Sequence, residues 1–474
     1  MRPEAAALTA EADAASFRDP HSRVYYVDGR VLRALSAHGL DDWSAFVDSG
    51  LAEELIGEGK LVGTQLAEGD AAVELPHALE ATAVLEHERI PFISYPYEWT
   101  FGMLQDAALL QLELLRRALA KHLVLKDATP YNVQWHGSRP VFVDVGSFER
   151  VRAGEPWAGF RQFSMLYLYP LLLQAWKDAP FQPWLRGSLD GISPREMRSL
   201  VSTRDLLRRG AFTHVLMHSR LDRRYEERSD DVKRELGSAG FRPELIAANA
   251  AGLERLVSRL QWSPGRSTWS EYHATATYST DDAARKERFV TDALAAEGPD
   301  LCWDIGCNDG RYARLAAEHS RYVVAMDADH TVVERLYREL KRESAETILP
   351  LTIDVVDPSP GLGWGQDERK PLVERGRPDL VLCLALLHHV SISANVPLVA
   401  VVDWLHGLTE AAVVEFATPG DPMVDRLLAR KRGDDHPDYR RDWFERALFE
   451  RFAAVETLEL AEGTRVLYHV RSRS

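Results

Sequence analysis

One stretch of the sequence combines carboxylates and glycines at a spacing suited to cofactor binding: Asp304-Ile305-Gly306-Cys307-Asn308-Asp309-Gly310. It follows an apolar run at 301–303 and precedes a helical pattern at 312–319, so the expected order is strand, turn, helix. Glycines in such a turn let the backbone approach a ligand closely, and the helix N-terminus offers unbonded N–H groups. A second apolar run ends at Asp327, about 20 residues later, where a carboxylate can accept hydrogen bonds from a ribose diol.

The charge of this turn distinguishes between two kinds of nucleotide cofactor. A dinucleotide site needs G-x-G-x-x-G, with the pyrophosphate on the helix N-terminus, whereas this turn reads D-x-G-x-x-x-G. The carboxylates of Asp304 and Asp309 would repel phosphates and attract a sulfonium and an amino group. The stretch therefore resembles the first motif of class I methyltransferases that depend on S-adenosylmethionine (SAM).

The resemblance to this family extends through most of residues 270–474. Ile353-Asp354 resembles the motif that meets the adenine, and the run from Asp379 to His389 resembles the fourth-strand motif beside the cofactor. The resemblance implies a Rossmann-like α/β fold and these cofactor-binding residues: Asp304, Gly306, Cys307, Asn308, Gly310, Asp327, Ala328, Asp354, Val355 and Leu384. It also implies that Tyr272 and Tyr278, upstream of the first motif, cover the cofactor; packing between domains is the alternative.

Residues at the ends of the fourth and fifth predicted strands are candidates for handling the acceptor. His388 and His389 follow the fourth strand, at the edge where open α/β sheets bind ligands. An imidazole there can act as a general base, or it can cap the strand end and shape the pocket. Glu415, at the same edge of the next strand, can hold or deprotonate a substrate group. Asp421 and the segment 434–439 are expected at the rim.

A second constellation lies in the N-terminal half, where a loop with Asp127 and Asn132 leads through a tight hairpin to Asp144-Val145-Gly146. It resembles the core of kinase-fold phosphotransferases, including aminoglycoside phosphotransferases, whose motifs read D-x-x-x-x-N and D-F-G. The resemblance implies that Asp127 orients and deprotonates an acceptor hydroxyl. It also implies that Asn132 and Asp144 hold Mg²⁺ against the phosphates of ATP.

The kinase resemblance has gaps. Leu125 stands where the family has a histidine, and no glycine-rich loop precedes the first hairpin. The usual strand-three lysine is not evident. Arg33 is the expected replacement, with Glu53 or Glu54 as its partner on the following helix, although arginine is not equivalent to lysine. Lys60 is the less favoured alternative. Loop capping and turn formation are the alternative roles for the aspartates and the asparagine.

The order of these patterns predicts two folded domains behind a flexible lead-in at 1–20. The first, 21–265, is an α+β kinase-like domain with a small lobe at about 21–95 and a helical lobe at about 100–265. The second, 269–474, is the methyltransferase-like domain, and it carries an insertion at 357–377 that is expected to serve a substrate or an interface.

Three local patterns in the first domain give sharper expectations. Asp28-Gly29 between two β-rich runs predicts a hairpin turn. The pattern at 41–56 predicts one amphipathic helix capped by Asp41. The apolar stretch at 160–176 predicts two helices with a break at Pro170.

Composition limits the classes of partner. The net charge of −15 argues against general affinity for nucleic acid or anionic membrane. With no signal-like N-terminus and no long apolar run, neither secretion nor a membrane span is expected. The three cysteines are not spaced as a C-x-x-C pair, and we expect them to be reduced thiols in a cytoplasmic protein. No second histidine lies near His436 at a spacing typical of metal ligands, so no firm metal site is expected there.

Three functions are compatible with these patterns. The first is a SAM-dependent methyltransferase that acts on a small-molecule or glycan-type acceptor, with a degenerate kinase-like module for binding or scaffolding. The second is a bifunctional kinase–methyltransferase that uses Mg-ATP and SAM, and the third is a non-catalytic protein that binds SAM or nucleotide. The architecture also resembles nodulation-related bacterial methyltransferases. The complete first motif favours the first function over the third, and the missing glycine-rich loop favours it over the second.

Overall fold

The chain forms two compact units, one from Met1–Trp135, Pro140–Ser263 and Gly361–Arg369, the other from His136–Arg139, Pro264–Pro360 and Lys370–Ser474. The structure is a computed structural model and describes residues 10–67, 80–152, 154–208, 214–215, 242–263, 265, 279–431 and 436–473. Tyr272 and Tyr278 lie outside these described residues. The predicted domains 21–265 and 269–474 did not anticipate that 361–369 belongs to the first unit and 136–139 to the second.

An antiparallel sheet opens the first unit, with strand order β1-β2-β3-β5-β4. Its strands are β1 (Ala10–Ala12), β2 (Ser22–Val27), β3 (Arg30–Leu35), β4 (Thr64–Leu66) and β5 (Ala83–His87). Two small sheets follow, made by β6 (Leu123–Leu125) with β9 (Phe148–Arg150) and by β7 (Val133–His136) with β8 (Arg139–Phe142). The expectation of a flexible lead-in is wrong for residues 10–18, because β1 pairs with β2 and a 3₁₀ turn, Ala14–Arg18, comes next.

The hairpin turn between β2 and β3 is confirmed. Asp28 and Gly29 both have positive φ, 47° and 78°, as a tight turn with matching strand twist requires. The single helix expected next is wrong, since the structure has α1 (Ala37–Asp48) and α2 (Leu51–Gly57).

The N-cap of α1 is Ser36 rather than Asp41. The hydroxyl of Ser36 accepts a hydrogen bond from the N–H of Gly39, so the helix begins one turn earlier than predicted. Gly50, with φ 74°, separates α1 from α2, because this left-handed conformation interrupts a helix and suits glycine.

The helical part of the first unit is arranged around a long leucine-rich helix that contacts β6 and several of the other helical segments that the structure describes. Its helices are α3 (Phe101–Ala120), α4 (Phe160–Phe163), α5 (Tyr169–Lys177), α6 (Gln182–Gly187), α7 (Pro194–Leu200) and α8 (Pro243–Val257). The break expected at Pro170 is wrong. A π-helical turn, Ser164–Leu168, joins α4 to α5 and shifts the hydrogen bonding, and Pro170 falls in the first turn of α5, where proline is tolerated.

The second unit is built on a seven-stranded sheet in the order β12-β11-β10-β13-β14-β16-β15. Its strands are β10 (Leu301–Ile305), β11 (Tyr322–Asp327), β12 (Ile348–Thr352), β13 (Leu380–Cys383), β14 (Ala411–Ala417), β15 (Phe452–Leu460) and β16 (Arg465–Ser472). The first five are parallel, and β16 runs antiparallel to both of its neighbours. The α/β fold class expected for this part of the chain is confirmed.

Helices accompany this sheet: α9 (Thr280–Glu297), α10 (Arg311–His319), α11 (His330–Glu343), α12 (Leu398–Leu408), α13 (Pro422–Leu428) and α14 (Arg441–Arg451). Apart from the half-buried Leu301 and Asp327, the residues of β10, β11, β13 and β14 are buried, as in parallel strands covered on both faces. The register places Ile305 beside both Met326 and Cys383. The carboxyl ends of β10, β11 and β13 therefore meet at one edge, where the predicted site residues lie.

Within the described ranges, no helix combines the length and hydrophobicity that crossing a membrane requires.

Candidate cofactor and acceptor site

The turn after β10 is shaped by two glycines, Gly306 and Gly310, which both have φ 78°. A Cβ on Gly306 would lie 3.3 Å from Cδ1 of Leu386, and one on Gly310 would lie 2.6 Å from Cδ1 of Leu336. Residues with a side chain rarely adopt this conformation, and at position 310 there is also no space for one. The turn therefore presents bare backbone at the sheet edge.

Asp327, at the end of β11, is tied to this turn. Its Oδ2 accepts a hydrogen bond from the N–H of Asn308 at 3.0 Å, and its Oδ1 accepts one from the N–H of Asp329 at 2.9 Å. Burial raises the pKa of Asp327, and the backbone donors act against that shift. The carboxylate and the turn are thus fixed relative to each other before any ligand binds.

Asp304, inside β10, is a buried carboxylate with one unused oxygen. Its side chain is almost inaccessible, and its Oδ2 has no hydrogen-bond partner in the part of the chain that the structure describes. Burial raises the pKa of Asp304 to about 7; the charge of Asp327 acts in the same direction, and Lys286 opposes it. Leaving a buried polar atom unpaired costs about 1–3 kcal/mol, so this oxygen suits a ligand group that can donate to it.

The other predicted cofactor residues differ in exposure. Cys307 and Leu384 are buried, Val355 is half-buried, and Ala328 and Asp354 are exposed. Asp354 follows β12, and its Oδ1 accepts a hydrogen bond from the N–H of Val356 at 2.9 Å. It therefore caps a local turn close to the same edge.

These residues fit SAM on chemical grounds. The cofactor carries a sulfonium, an amino group and a ribose diol. The unpaired oxygen of Asp304 suits a cationic group, and Asp327 stands at the strand end where a ribose diol is bound in doubly wound folds. The glycine turn provides the close backbone approach.

His388 and His389 follow β13, with their ring centroids 4.1 Å apart. His388 is fully buried, and neither of its ring nitrogens has a partner among the described residues. Burial lowers the pKa of His388 well below its usual value and that of His389 to about 4, and Arg465 contributes to both shifts. Both imidazoles are therefore neutral near pH 7, and each can accept a hydrogen bond.

Glu415 belongs to a buried network of four charges. Lys286 Nζ lies 2.6 Å from its Oε2, and Arg465 Nη1 lies 3.1 Å from its Oε1. Arg465 also bonds through Nε to Oδ2 of Asp421 at 2.7 Å. Two cations balance two carboxylates, so the desolvated charges are compensated. With both oxygens of Glu415 engaged, the geometry favours a supporting role for this residue over proton abstraction.

The expected rim residues include two that the structure buries. Asp421 is fully buried and caps α13 by accepting hydrogen bonds from the N–H groups of Met423 and Val424. Tyr439 is buried and donates its hydroxyl to the carbonyl of Ala417 at 2.8 Å. Placing these two residues at the rim was wrong. Their neighbours in the sequence are largely polar, and such surroundings give no indication that Asp421 and Tyr439 are buried.

Sequence reasoning missed Lys286 and Arg465. Lys286 occupies an inward position of α9, in helical register with Phe289, Val290 and Ala293. The available signal was that Lys286 occupies a helix position at which the spacing of the apolar residues predicts an apolar side chain. Arg465 opens β16, directly before a buried apolar run, and nothing in that pattern marks its partners.

In the first unit, the structure brings Arg33, Asp144 and Asn132 together. Arg33 Nη1 lies 2.9 Å from Oδ1 of Asp144, and the amide of Asn132 donates to Oδ2 of Asp144 at 3.2 Å. Asp127 is close enough for the charge of Asp144 to affect it. Burial raises the pKa of Asp127 to about 6, Asp144 adds to the shift, and Lys126 opposes it.

The expected partner of Arg33 was wrong. Glu54 pairs instead with Arg117 and Lys121, and Glu53 is exposed. Arg33 also donates through Nε to Nε2 of His87 at 3.1 Å. The guanidinium satisfies a carboxylate and an imidazole together, which a lysine ammonium cannot do with the same planar geometry.

No cluster of three or more His, Cys, Asp or Glu side chains suited to a metal ion occurs within the described residues. The Mg²⁺ site expected at Asn132 and Asp144 therefore stays a prediction.

No protein-family model matches the chain. Nodulation protein NoeA of Rhizobium meliloti (strain 1021) is 33% identical to it over 466 residues, which is 96% of this chain and 95% of that protein. The chain therefore belongs to the NoeA family.

Two solved structures similar to the chain are those of methyltransferases. One is N-methyltransferase NodS from Bradyrhizobium japonicum WM9, 14% identical, with a TM-score of 0.31, covering 41% of this chain and 99% of that chain. The other is magnesium protoporphyrin IX methyltransferase (ChlM) from Synechocystis PCC 6803 with bound SAM, 18% identical, with a TM-score of 0.29, covering 44% of this chain and 86% of that chain.

Proposed function

We propose that the second unit is a SAM-dependent methyltransferase that modifies a small-molecule or glycan-type acceptor. The observation that carries this proposal is the unpaired Oδ2 of Asp304, buried beside a glycine turn that is hydrogen-bonded to Asp327. Two carboxylates and bare backbone at one sheet edge suit a ligand with a cationic group and a ribose.

When bound, SAM supplies an electrophilic methyl group, so the protein mainly positions the reactants. Asp304 holds the cationic end of the cofactor, and Asp327 holds the ribose hydroxyls. Leu386, which lies against Gly306, forms an apolar wall beside the turn.

The half-buried His389 receives the acceptor, and the fully buried His388 lies against its ring. A neutral imidazole accepts a hydrogen bond from a hydroxyl or an amine and so orients it towards the methyl group. The pKa of about 4 makes His389 a weaker general base than an imidazole of ordinary pKa. Glu415 contributes by fixing Lys286 and Arg465 behind the site. The name of the Rhizobium meliloti relative refers to nodulation, and we extend a nodulation-related product to this chain as part of the proposal.

The test of the proposal is a calorimetric titration of SAM into the wild-type protein and the Asp304→Ala variant. We expect the variant to bind at least about tenfold more weakly, since a charge-assisted contact is lost. Asp300→Ala, an exposed residue just before β10, is the matched control and should bind as the wild type does. Unaltered SAM affinity in a folded Asp304→Ala protein would refute the assignment.

A second candidate is phosphate transfer by the first unit, which would make the protein a bifunctional kinase–methyltransferase. The observation that favours it is the convergence of Asp127, Asn132 and Asp144, with the pKa of Asp127 at about 6, near the value that suits a general base. The contrary observation is that Arg33 already pairs with Asp144. The alternative is that this unit binds the acceptor or serves as a scaffold.

Titration of Mg·ATP into the wild type and the Asp144→Asn variant separates these possibilities. Binding that is lost in the variant would support a working nucleotide site and direct the search to acceptors that receive both a phosphate and a methyl group. Absence of binding in the wild type would leave methyl transfer as the chemistry to assign.

A further inference from the structure

Lys286 is a buried cation to which the proposed function assigns no role in cofactor binding. Its side chain is 4% exposed, its Nζ lies 2.6 Å from Oε2 of the fully buried Glu415, and it stands 4.9 Å above the ring of Tyr312. Removing an ammonium from water costs several kcal/mol unless partners compensate it. The burial of a lysine between α9 and β14 therefore indicates that this residue has a role other than packing.

The ammonium also acts on the first motif. Lys286 Nζ stands over the ring of Tyr312, and the backbone N–H of the next residue, Ala313, donates a hydrogen bond to the carboxylate of Asp304, so the ammonium and this carboxylate lie at the same turn of α10. Each favours the charged form of the other. Lys286 Nζ donates a hydrogen bond to Glu415, and Oδ2 of Asp304 has no partner among the described residues. Lys286 thus supports a negative charge on Asp304 while leaving that oxygen open to a ligand.

Burial and two neighbouring carboxylates act in the opposite direction, while the backbone N–H of Ala313 acts with Lys286. Asp327 on β11 and Asp309 in the turn both disfavour the ionisation of Asp304. Arg465 and Glu415 act on Lys286 from β16 and β14. Tyr312 on α10 and the thiols of Cys302, Cys307 and Cys383 are neutral near pH 7, since burial raises the pKa of each.

We propose that Lys286 is a positioning residue of the cofactor site, whose buried ammonium, anchored by Glu415, keeps the carboxylate of Asp304 anionic for the cationic end of SAM. This inference rests on the proposed SAM site. It adds a residue outside the methyltransferase-like motifs and predicts a specific pH dependence of cofactor binding.

The experiment is calorimetric binding of S-adenosylhomocysteine, which keeps the amino group and the ribose, and of SAM, between pH 6 and 9. The proteins are the wild type, Lys286→Met, Lys286→Arg and the double variant Lys286→Met/Glu415→Gln. Arg288→Met removes a cation from the exposed face of the same helix and is the matched control. Near-ultraviolet circular dichroism checks the fold of each protein.

We expect wild-type affinity to weaken as the pH falls through about 7, where Asp304 takes up a proton. In Lys286→Met the midpoint should move upward by about one pH unit, which lowers the affinity at pH 7 about fivefold, because the ionised fraction of Asp304 falls from about one half to about one tenth. Binding should recover at pH 9, which a misfolded site would not allow. Lys286→Arg and Arg288→Met should keep the wild-type midpoint, and the double variant should keep the upward shift.

Two results would overturn the inference while the SAM site stands. One is a wild-type pH profile in Lys286→Met; the other is restoration of the wild-type profile in the double variant, which would mean that Lys286 acts only by pairing with Glu415. A wild-type protein that binds neither ligand at any pH would overturn the proposed function and, with it, this inference.

Discussion

The N–H of Asn308 donates a hydrogen bond to the carboxylate of Asp327 over 3.0 Å. This contact joins the turn after β10 to the end of β11, two parts of the chain that the register of the sheet brings side by side. The acid proposed to hold the ribose is therefore also the residue that orients the turn.

Replacing Asp327 by Ala should weaken both functions of this residue. The partly buried N–H of Asn308 loses its acceptor, which costs about 1 kcal/mol of folding stability. The affinity for S-adenosylhomocysteine should fall at least about tenfold as the ribose contact is lost. Urea unfolding and calorimetry measure the two effects. Asp327→Asn, which keeps an acceptor oxygen, should recover part of the stability, and equal stability of both variants would contradict the role given to the hydrogen bond.

The lack of space at Gly310 can be separated from its backbone conformation. Gly310→Ala should destabilise the protein by about 2–4 kcal/mol, because a left-handed backbone and a Cβ placed 2.6 Å from Leu336 both oppose it. Gly298→Ala shares the positive φ but meets nothing within 4 Å, so it should cost only about 1 kcal/mol. The comparison is made by urea unfolding. Similar costs at the two positions would show that the contact with Leu336 is relieved by movement of its side chain.

Arg465 should matter far more than another arginine on the same strand. Arg465→Met leaves Asp421 without its cation and Glu415 with one cation instead of two, and breaking a buried pair of this kind costs about 3–5 kcal/mol. Arg471→Met removes an exposed arginine that pairs with Glu297, so its cost should stay below about 1 kcal/mol. Thermal and urea unfolding of both variants test this difference. A mild effect at position 465 would mean that water replaces the guanidinium.

His87 should give the first unit a defined sensitivity to acid. Burial lowers the pKa of His87 to about 3 from the usual 6.5, and Arg33 contributes. Nε2 accepts from Arg33 and Nδ1 bonds to the hydroxyl of Thr64 at 2.8 Å, so the neutral ring fits its partners and a second proton would meet the guanidinium.

The sign of the effect follows from these values. Between pH 6.5 and 3 the unfolded chain binds the proton that the folded chain excludes, so stability is complete above pH 6.5 and declines by about 1.4 kcal/mol per unit below it. His87→Gln keeps an acceptor and a donor, and it should flatten the urea-unfolding profile between pH 4 and 6. The exposed His38, replaced in the same way, should leave the slope unchanged. A slope that persists in His87→Gln would assign the acid sensitivity to other groups.

The strand, turn and helix at 304–327 were readable from the sequence because the signals that define them are local. Strand, glycine turn, helix and a terminal acid lie within one short stretch, and the period of apolar residues defines each element. The same holds for the hairpin at Asp28-Gly29, where the two turn residues specify the conformation themselves. By contrast, the helix boundary at Ser36 was missed because several polar residues nearby can serve as caps.

Long-range pairings could be decided only by the tertiary structure. Lys286 and Glu415 are far apart in the sequence and meet because α9 packs against β14. Arg33 was assigned a glutamate on the next helix, yet β3 directs it to Asp144 more than a hundred residues away. The sequence by itself determined the motifs, the α/β class and the edge where a cofactor would bind, since these follow from local periodicity and turn chemistry. Which buried charges neutralise one another depends on how the elements pack, because electrostatic pairing follows distance in space and not spacing along the chain.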